Sequence, residues 1–213
     1  MLYNQTVDNK SSKSVIEAGA RSFFCETLVL LSSLPFDGMA SSVADAIVAV
    51  VNCPGKVITT GLGKAGHVAE KAASSFSSLG IPSCYLHPAQ SSHGDVGVVE
   101  PADILMVFST SGKTREVIET IGLTRQLGVY KVISVTSHPD SPIKGMSDVV
   151  VDIGVVKEAG YLSLAPTTSI VAMLMVADAV ATGCAQVRGL TRNDFGLRHH
   201  GGYLGRLCRG EAP

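Results

Sequence analysis

Five short apolar segments alternate with longer segments of helical periodicity, and this alternation restricts the fold of the 213-residue chain more than any other feature. The short segments cover residues 56–61, 83–86, 103–109, 131–137 and 148–153. They lack the polar alternation of a half-exposed strand, so we expect strands that are buried on both faces. Since helical segments lie between them, the pattern predicts a three-layer α/β/α sandwich around five parallel strands.

The remaining periodic segments predict helices at residues 12–34, 38–52, 64–80, 113–128 and 167–186. Gly80 occupies the usual position after a helix, and Pro166 begins the last helix in the first-turn position that proline favours. A polar, glycine-rich tail follows. No repeat or linker divides the sequence, so we expect one domain over residues 1–213, with helices 12–52 packed on it or on a partner subunit.

Composition indicates the cellular context. The chain is 46% apolar, enough for a sizeable core, and its net charge of −1 gives no sign of a nucleic-acid partner. Five scattered cysteines without a CxxC pair favour reduced thiols in the cytoplasm. Residues 1–14 are polar and do not resemble a signal peptide. Pro166 and Asp178 interrupt the most apolar stretch, so we expect a buried core helix and no membrane partner.

The stretch "STSGKT" places small hydroxyl residues at the end of one predicted strand, just before a helix. In parallel sheets, ligands bind outside the carboxyl ends of the strands. A helix N-terminus offers unpaired N–H groups and partial positive charge, which suit a phosphate. Alternatively, the hydroxyls cap the helix. Because three of them surround one glycine, we predict a phosphate site formed by Ser109, Thr110, Ser111, Gly112 and Thr114.

Two other strand ends carry polar groups. "TGLGKAGH" places Gly63 and Lys64 at the start of a helix, where the glycine allows close approach of a ligand. It resembles a dinucleotide-binding turn, but the expected acidic residue after the second strand is missing, so we expect no nicotinamide cofactor. In "VVKEAGYLSLAPTTS", Glu158 is either a site carboxylate or a solvated loop residue, and Thr167 and Ser169 line the same pocket or cap a helix.

Four histidines lie in polar segments. His87 and His93 flank "PAQSS", and His199 and His200 lie in "LRHHGGYLG". Isolated loop histidines are usually surface residues, and this spacing matches no standard zinc pattern. We therefore expect no metal.

Together these motifs resemble the sugar isomerase (SIS) domain, a five-stranded, flavodoxin-like α/β/α unit that binds phosphosugars through an SxSGxT loop. "GLGKAGH", "HPAQSSHGDVGVV", "VKEAGYLSLAPTTS" and "DFGLRHHGGYLGRL" closely resemble arabinose-5-phosphate isomerases, over about residues 12–208. These enzymes interconvert ribulose 5-phosphate and arabinose 5-phosphate, the first step towards the sugar Kdo of lipopolysaccharide and some capsules. The resemblance implies a cytoplasmic homotetramer whose sites are completed by neighbouring subunits.

The resemblance also implies roles for single residues. The family's motif lysine falls on Lys64, its HGD histidine on His93, its KEA glutamate on Glu158 and its C-terminal histidine on His199. The phosphorylated pentose would then be bound by the "STSGKT" turn. Because many members have a longer chain with a paired CBS regulatory module, the resemblance is to a short form, for which we expect no control by that module.

Two positions depart from the family's pattern. Lys113 stands where many members have a glutamate, and an ammonium group cannot replace a carboxylate as a base. Either the glutamate is dispensable, or Glu116 substitutes for it, or the substrate differs; Lys113 could also be a solvated residue or an extra phosphate partner. His200 replaces a proline, which would loosen the turn that directs His199.

The chemistry of the reaction supports the same roles. Ketose–aldose interconversion moves a proton between C1 and C2 through an enediolate, which requires a base within reach. We assign Glu158 as this base, Lys64 and His93 as stabilisers of the enediolate oxygen, and His199 to ring opening. No step needs a metal or an organic cofactor. Two alternatives remain, namely an isomerase of hexulose 6-phosphate or sedoheptulose 7-phosphate, and a non-catalytic phosphosugar-binding regulator.

Overall fold

The computed structural model describes residues 11–211, which contain eight α-helices and five strands. The helices are α1 (Ser11–Ser32), α2 (Phe36–Val51), α3 (Lys64–Ser78), α4 (Pro88–Ser91), α5 (Arg115–Gln126), α6 (Thr168–Val187), α7 (Arg192–Arg198) and α8 (Tyr203–Cys208). The strands are β1 (Val57–Gly61), β2 (Ser83–Tyr85), β3 (Ile104–Phe108), β4 (Lys131–Thr136) and β5 (Val149–Asp152). Residues 1–10, over which the sequence predicts no signal peptide, lie outside the described part of the chain, as do residues 212–213.

The strands form one parallel sheet in the order β2-β1-β3-β4-β5. This is the flavodoxin-like order, so the predicted fold is confirmed. From β1 the chain continues to one side of the sheet, and from β3 it continues to the other. The carboxyl ends of β1 and β3 therefore form the switch point at which ligands bind in such sheets. Gly61 pairs with Phe108 at this edge.

Two apolar clusters cover the two faces of the sheet. Alternate strand residues such as Met106 and Ile133 pack under α2, α3 and α6. The residues between them, such as Leu105 and Val132, pack under α5. The strands are thus buried on both faces, which explains why their sequences lack polar alternation.

The apolar helix α6 is a core helix, as its sequence predicts, because it packs against α2 and α3. Among the described residues, it is the one helix whose length and composition would also suit a membrane span by itself. Lys13–Ser32 and Phe36–Val51 meet the same criterion only as a pair bent by 71°. α6 begins after Pro166, which precedes the N-cap residue Thr167, so the proline lies just outside the helix and not in its first turn.

The predicted helices and strands are all found, with ends within two residues of the predicted ones. The sequence missed α4, two 3₁₀ turns (Asp95–Val98 and Pro142–Met146) and both helices of the tail. The tail helices were not predicted, because the glycines of this segment resemble helix breaks. α7 nevertheless has a capping box, in which Thr191 and Asp194 bond reciprocally across the first turn, and this pattern is readable in the sequence.

Three glycines allow α3 to approach the sheet closely. A Cβ on Gly61 would lie 2.7 Å from Ala65 O and 2.9 Å from Phe108 O, and one on Gly66 would lie 2.8 Å from Gly61 O. Gly63, with φ of +62°, makes the turn between β1 and α3. The start of α3 is therefore held against the ends of β1 and β3, where the candidate site lies.

Replacing Gly61 with Ala should lower the free energy of unfolding by about 1–3 kcal/mol, because backbone carbonyls would have to move. Gly122→Ala is the matched control. It lies inside α5, and apart from its chain neighbours and the backbone of its own helix, nothing in the described chain is within 4 Å of the position of its Cβ. That change should raise the free energy of unfolding by about 0.5–1 kcal/mol through helix propensity. Urea denaturation measures both. Equal stability of the two variants would contradict the close-approach argument.

Candidate functional site

The turn between β3 and α5 brings three hydroxyls to the carboxyl end of the sheet. Ser109 Oγ accepts a hydrogen bond from Gly112 N at 3.2 Å, and Ser111 Oγ accepts one from Lys113 N at 3.2 Å. Thr114 is the N-cap residue of α5, but its side chain makes no capping bond to the described backbone of that helix. The structure therefore does not support the alternative in which these hydroxyls serve to cap α5.

Gly112 is required at its position in the turn. Its φ is +61°, and a Cβ there would lie 1.9 Å from Ser141 Oγ. Backbone conformation and space thus both favour glycine. The turn after β3 is therefore packed directly against the turn after β4.

A cavity of about 290 Å³ joins the start of α3 to the turn of residues 109–114, named the phosphate turn after the phosphate site that its sequence predicts. It is lined by Lys64 and, from the phosphate turn, by Ser109, Thr110, Ser111 and Thr114. Pro166, just before α6, and Ile170, in its first turn, complete the lining. The exposed Lys64 has no acidic side chain within 4.0 Å in the described part of the chain. Its charge therefore remains available to an anionic ligand.

Tyr85 holds the carboxyl end of β1 in place. Its hydroxyl donates to Gly61 O at 3.0 Å. Burial, with a smaller contribution from the charge of Glu70, raises the pKa of Tyr85, so the hydroxyl keeps its proton and remains a donor. Tyr85 thus fixes the carbonyl of Gly61 beside the start of α3.

The carboxylate of Glu158 is bound to the N-terminus of α6. Its Oε2 accepts bonds from Thr167 N at 2.7 Å, Thr167 Oγ1 at 3.3 Å and Ser169 N at 3.2 Å. Its Oε1 accepts a bond from Ser169 Oγ. Glu158 is therefore not a solvated loop carboxylate but a partly buried group held by four donors. It lies at the helix end whose flanking residues Pro166 and Ile170 line the cavity.

His93 does not line this cavity. It follows α4, and its side chain is exposed. α4 is fixed against α5, since the buried hydroxyls of Ser91 and Thr120 are hydrogen-bonded at 2.7 Å. Within one described chain, His93 therefore does not line the cavity that the phosphate turn shares with Lys64.

His199 lies near the opposite end of the sheet. The guanidinium of Arg198 packs on Gly80, since a Cβ there would lie 2.9 Å from Arg198 Cζ. Gly80 follows the last turn of α3, and Lys64 begins the first. A helix of 15 residues spans about 22 Å. One chain therefore keeps His199 away from its own cavity.

The ring of His199 is nevertheless oriented. It stacks on Phe195, with centroids 3.8 Å apart and an interplanar angle of 15°. Its Nδ1 lies 2.9 Å from Phe195 O. Because a carbonyl oxygen only accepts, Nδ1 must be the protonated donor, which leaves Nε2 for another partner.

His138 is a lining residue that the sequence interpretation missed. It follows β4, lines the 290 Å³ cavity, and its Nδ1 lies 3.0 Å from Thr110 O in the phosphate turn. The rule that ligands bind at the carboxyl ends of parallel strands would have found it. Within residues 11–211, no group of three or more His, Cys, Asp or Glu could hold a metal.

Comparison with known proteins identifies the family. A model of the SIS domain matches residues 51–183, which include the sheet and the turns after β1 and β3. The chain belongs to the SIS domain family. Arabinose 5-phosphate isomerase KdsD of Pseudomonas aeruginosa is 41% identical to this SIS chain over 152 residues, which make up 71% of the chain. The chain spans 46% of the length of that enzyme.

Solved SIS structures cover more of the chain. Escherichia coli CFT073 protein c3406, solved in complex with arabinose 5-phosphate, is 34% identical with a TM-score of 0.81, covering 90% of this chain and 100% of that one. A Bacteroides fragilis protein assigned as a phosphosugar isomerase involved in capsule formation is 35% identical with a TM-score of 0.80, covering 89% of this chain and 99% of that one. The similarity therefore extends beyond the region matched by the family model.

The bonds to Glu158 should contribute to stability. Replacing Ser169 with Ala removes the hydroxyl donor to Oε1 and should lower the free energy of unfolding by about 1–2 kcal/mol. Ser42→Ala is the control, because Ser42 Oγ bonds to carbonyls within its own helix α2. That change should stay within about 0.5 kcal/mol of the parent in urea denaturation. If Ser169→Ala behaves like the control, the carboxylate is not held as described.

Proposed function

We propose that the chain is an aldose–ketose isomerase that interconverts D-ribulose 5-phosphate and D-arabinose 5-phosphate. One observation carries the proposal: a single cavity joins the phosphate turn, Lys64 and the start of α6, the helix end that binds Glu158. Membership in the SIS family supports it, as does the similarity to KdsD of Pseudomonas aeruginosa and to the arabinose 5-phosphate complex of c3406.

The phosphate turn binds the end of the sugar that does not react. Ser109, Ser111 and Thr114 supply hydroxyls, and the start of α5 supplies N–H groups and partial positive charge. Anchoring the phosphate there fixes the distance to C1 and C2 and converts proton transfer into an intramolecular step. Gly63, Thr110 and Gly112 keep the backbone close to the ligand.

Glu158 is the base that moves the proton. Its carboxylate takes the proton from C1 or C2 and leaves an enediolate. It returns the proton to the other carbon as the hydroxyl proton moves between O1 and O2. Oε2 is saturated by its three bonds, whereas Oε1 accepts a single bond within the described chain and keeps a lone pair for the proton. Thr167 and Ser169 are the residues that position it.

Lys64, His93 and His199 complete the chemistry. The ammonium of Lys64 stabilises the developing enediolate oxygen, with His93 as its partner. His199 transfers the proton that opens the sugar ring, through the free Nε2. Because one chain keeps His93 and His199 out of its cavity, the complete site uses these residues from neighbouring subunits.

The assembly is a homotetramer in the cytoplasm. Exposed apolar side chains on α1, including Val15, Phe24, Leu28 and Val29, offer a surface that subunit packing would bury.

Lys113 is not a lining residue of the 290 Å³ cavity, so the absence of a glutamate at that position leaves the proposed proton transfer intact. The product would supply Kdo synthesis for lipopolysaccharide or capsule. The chemistry needs neither a metal nor an organic cofactor.

Replacing Glu158 with Gln should reduce turnover by about 100- to 10,000-fold, because the base is lost while the shape is kept. Glu26→Gln is the matched control, since Glu26 Oε2 holds the same loop by accepting from Gly160 N at 3.1 Å. That control should keep most of its turnover. The assay incubates ribulose 5-phosphate in heavy water and follows label at C2 of arabinose 5-phosphate.

The same assay separates the alternatives. Formation of arabinose 5-phosphate supports the proposal, whether it carries label from solvent exchange at the Glu158 carboxyl or keeps the transferred hydrogen, whereas turnover only of a hexulose or sedoheptulose phosphate would replace the substrate. Binding without any product or hydrogen exchange would identify a non-catalytic regulator. Near-normal activity of Glu158→Gln would refute the assignment of the base.

Mixed assemblies test the origin of His199. Glu158→Gln and His199→Asn should each be inactive alone, but co-expressed chains should recover activity at about a quarter of the sites if the two groups come from different subunits. The measurement is turnover of the purified mixed assembly per site. Absence of recovery, with mixing verified by differential tags, would place both groups in the same chain.

A further inference from the structure

A second cavity, of about 250 Å³, adjoins the first at His138, which lines both. The turn after β4 forms most of its wall, including Ser137 and Ser141, and Lys113 contributes from the start of α5. The proposed isomerase mechanism uses none of Lys113, Ser137 and Ser141.

Two buried hydroxyls in this wall lack partners. Ser137 and Ser141 are 1% and 6% exposed, and neither Oγ has a hydrogen-bond partner within the described residues. A buried hydroxyl without a partner costs about 1–3 kcal/mol. Ser141 Oγ is also packed against Gly112, at the place where a side chain of that residue would begin. Both residues line the cavity, and rotation of either side chain about its Cα–Cβ bond would bring the buried hydroxyl to a ligand there, which would remove this cost.

The charge near the cavity favours an anion. Lys113 is exposed and has no acidic side chain within 4.0 Å in the described ranges. Asp140 also lines the cavity, but its carboxylate is paired with Lys144 Nζ at 2.8 Å. The hydrogen bond and charge of Lys144 lower the pKa of Asp140, so this exposed pair is ionised and close to neutral in sum at pH 7. The charge of Lys113 is left uncompensated.

We propose that this cavity binds a second phosphate group, beside the one in the phosphate turn, with Lys113 as the cation and Ser137 and Ser141 as hydroxyl donors. A phosphate dianion has several acceptor oxygens, and an ammonium group with hydroxyl donors matches them. The group belongs either to a bisphosphorylated sugar that spans both cavities or to a separate phosphorylated molecule. This inference goes beyond the isomerase proposal and does not depend on it.

Equilibrium dialysis with radiolabelled inorganic phosphate at fixed ionic strength tests the site without any turnover assay. The parent should bind about two phosphates per chain, and Lys113→Gln should lose at least about 10-fold in affinity at one of them. Lys131→Gln is the matched control, because it removes the same charge from a residue outside both cavity walls that has no acidic side chain within 4.0 Å in the described chain, and it should keep both sites. Ser111→Tyr should block the phosphate turn and leave the second site.

Ser141→Ala supplies a second, independent variant. It removes a hydroxyl that has no partner, so without phosphate the variant should be as stable as the parent or more stable. The stabilisation that phosphate adds should be smaller than in the parent. Unchanged phosphate binding in both Lys113→Gln and Ser141→Ala, whether the parent binds one phosphate per chain or two, would overturn the proposal and show that the cavity holds water.

The source of the phosphate is decided by comparing arabinose 5-phosphate with a pentose bisphosphate such as ribulose 1,5-bisphosphate. If one sugar spans both cavities, Lys113→Gln should weaken the bisphosphate by about 10-fold or more and leave the monophosphate unchanged. If the second phosphate belongs to a separate molecule, the monophosphate should bind at two sites per chain, and Lys113→Gln should remove one of them.

Discussion

The capped end of α6 is the constraint on which the candidate site depends. α6 packs against α2 and α3, so its first N–H groups need partners that the helix itself cannot supply. Glu158, from the loop after β5, accepts bonds from Thr167 N and Ser169 N and satisfies them. The position of the carboxylate is therefore set by the packing of a core helix. The proposed base is fixed by the same interaction that stabilises the fold.

Close contacts between turns position the remaining part of the candidate site. Gly61 and Gly66 let the start of α3 approach β1, and Gly112 lets the turn after β3 contact Ser141 in the turn after β4. Each contact excludes a side chain larger than hydrogen, so the turns cannot shift independently. Lys64 and the hydroxyls around Gly112 consequently line one cavity although about 50 residues separate them in sequence.

A single chain holds only part of the proposed chemistry. The phosphate turn, Lys64 and Glu158 lie at the carboxyl edge of the sheet, whereas α7 and His199 lie near the far end of α3. The stacked and hydrogen-bonded ring of His199 is oriented before any partner arrives. Such orientation fits the proposal that His199 acts on a neighbouring subunit, because a preformed geometry costs less entropy on assembly.

The sequence by itself determined the five parallel strands, the main helices and the turn that carries the hydroxyls of the predicted phosphate site. These features follow from local periodicity and from glycine positions, which depend on residues close in the chain. The two tail helices were not predicted, because Gly196 and Gly205 resemble helix breaks. In the fold, glycine is required at position 205, since a Cβ there would collide with the backbone of His199.

Only the tertiary structure decided that Glu158 caps α6, that His138 borders the phosphate turn, and that Lys113 faces a second cavity. It also decided that His93 and His199 lie outside the cavity of their own chain. These relations join segments far apart in sequence through the packing of helices and turns on the sheet. No local pattern encodes such packing, because it depends on the volumes and close approaches of residues that meet only in the folded chain.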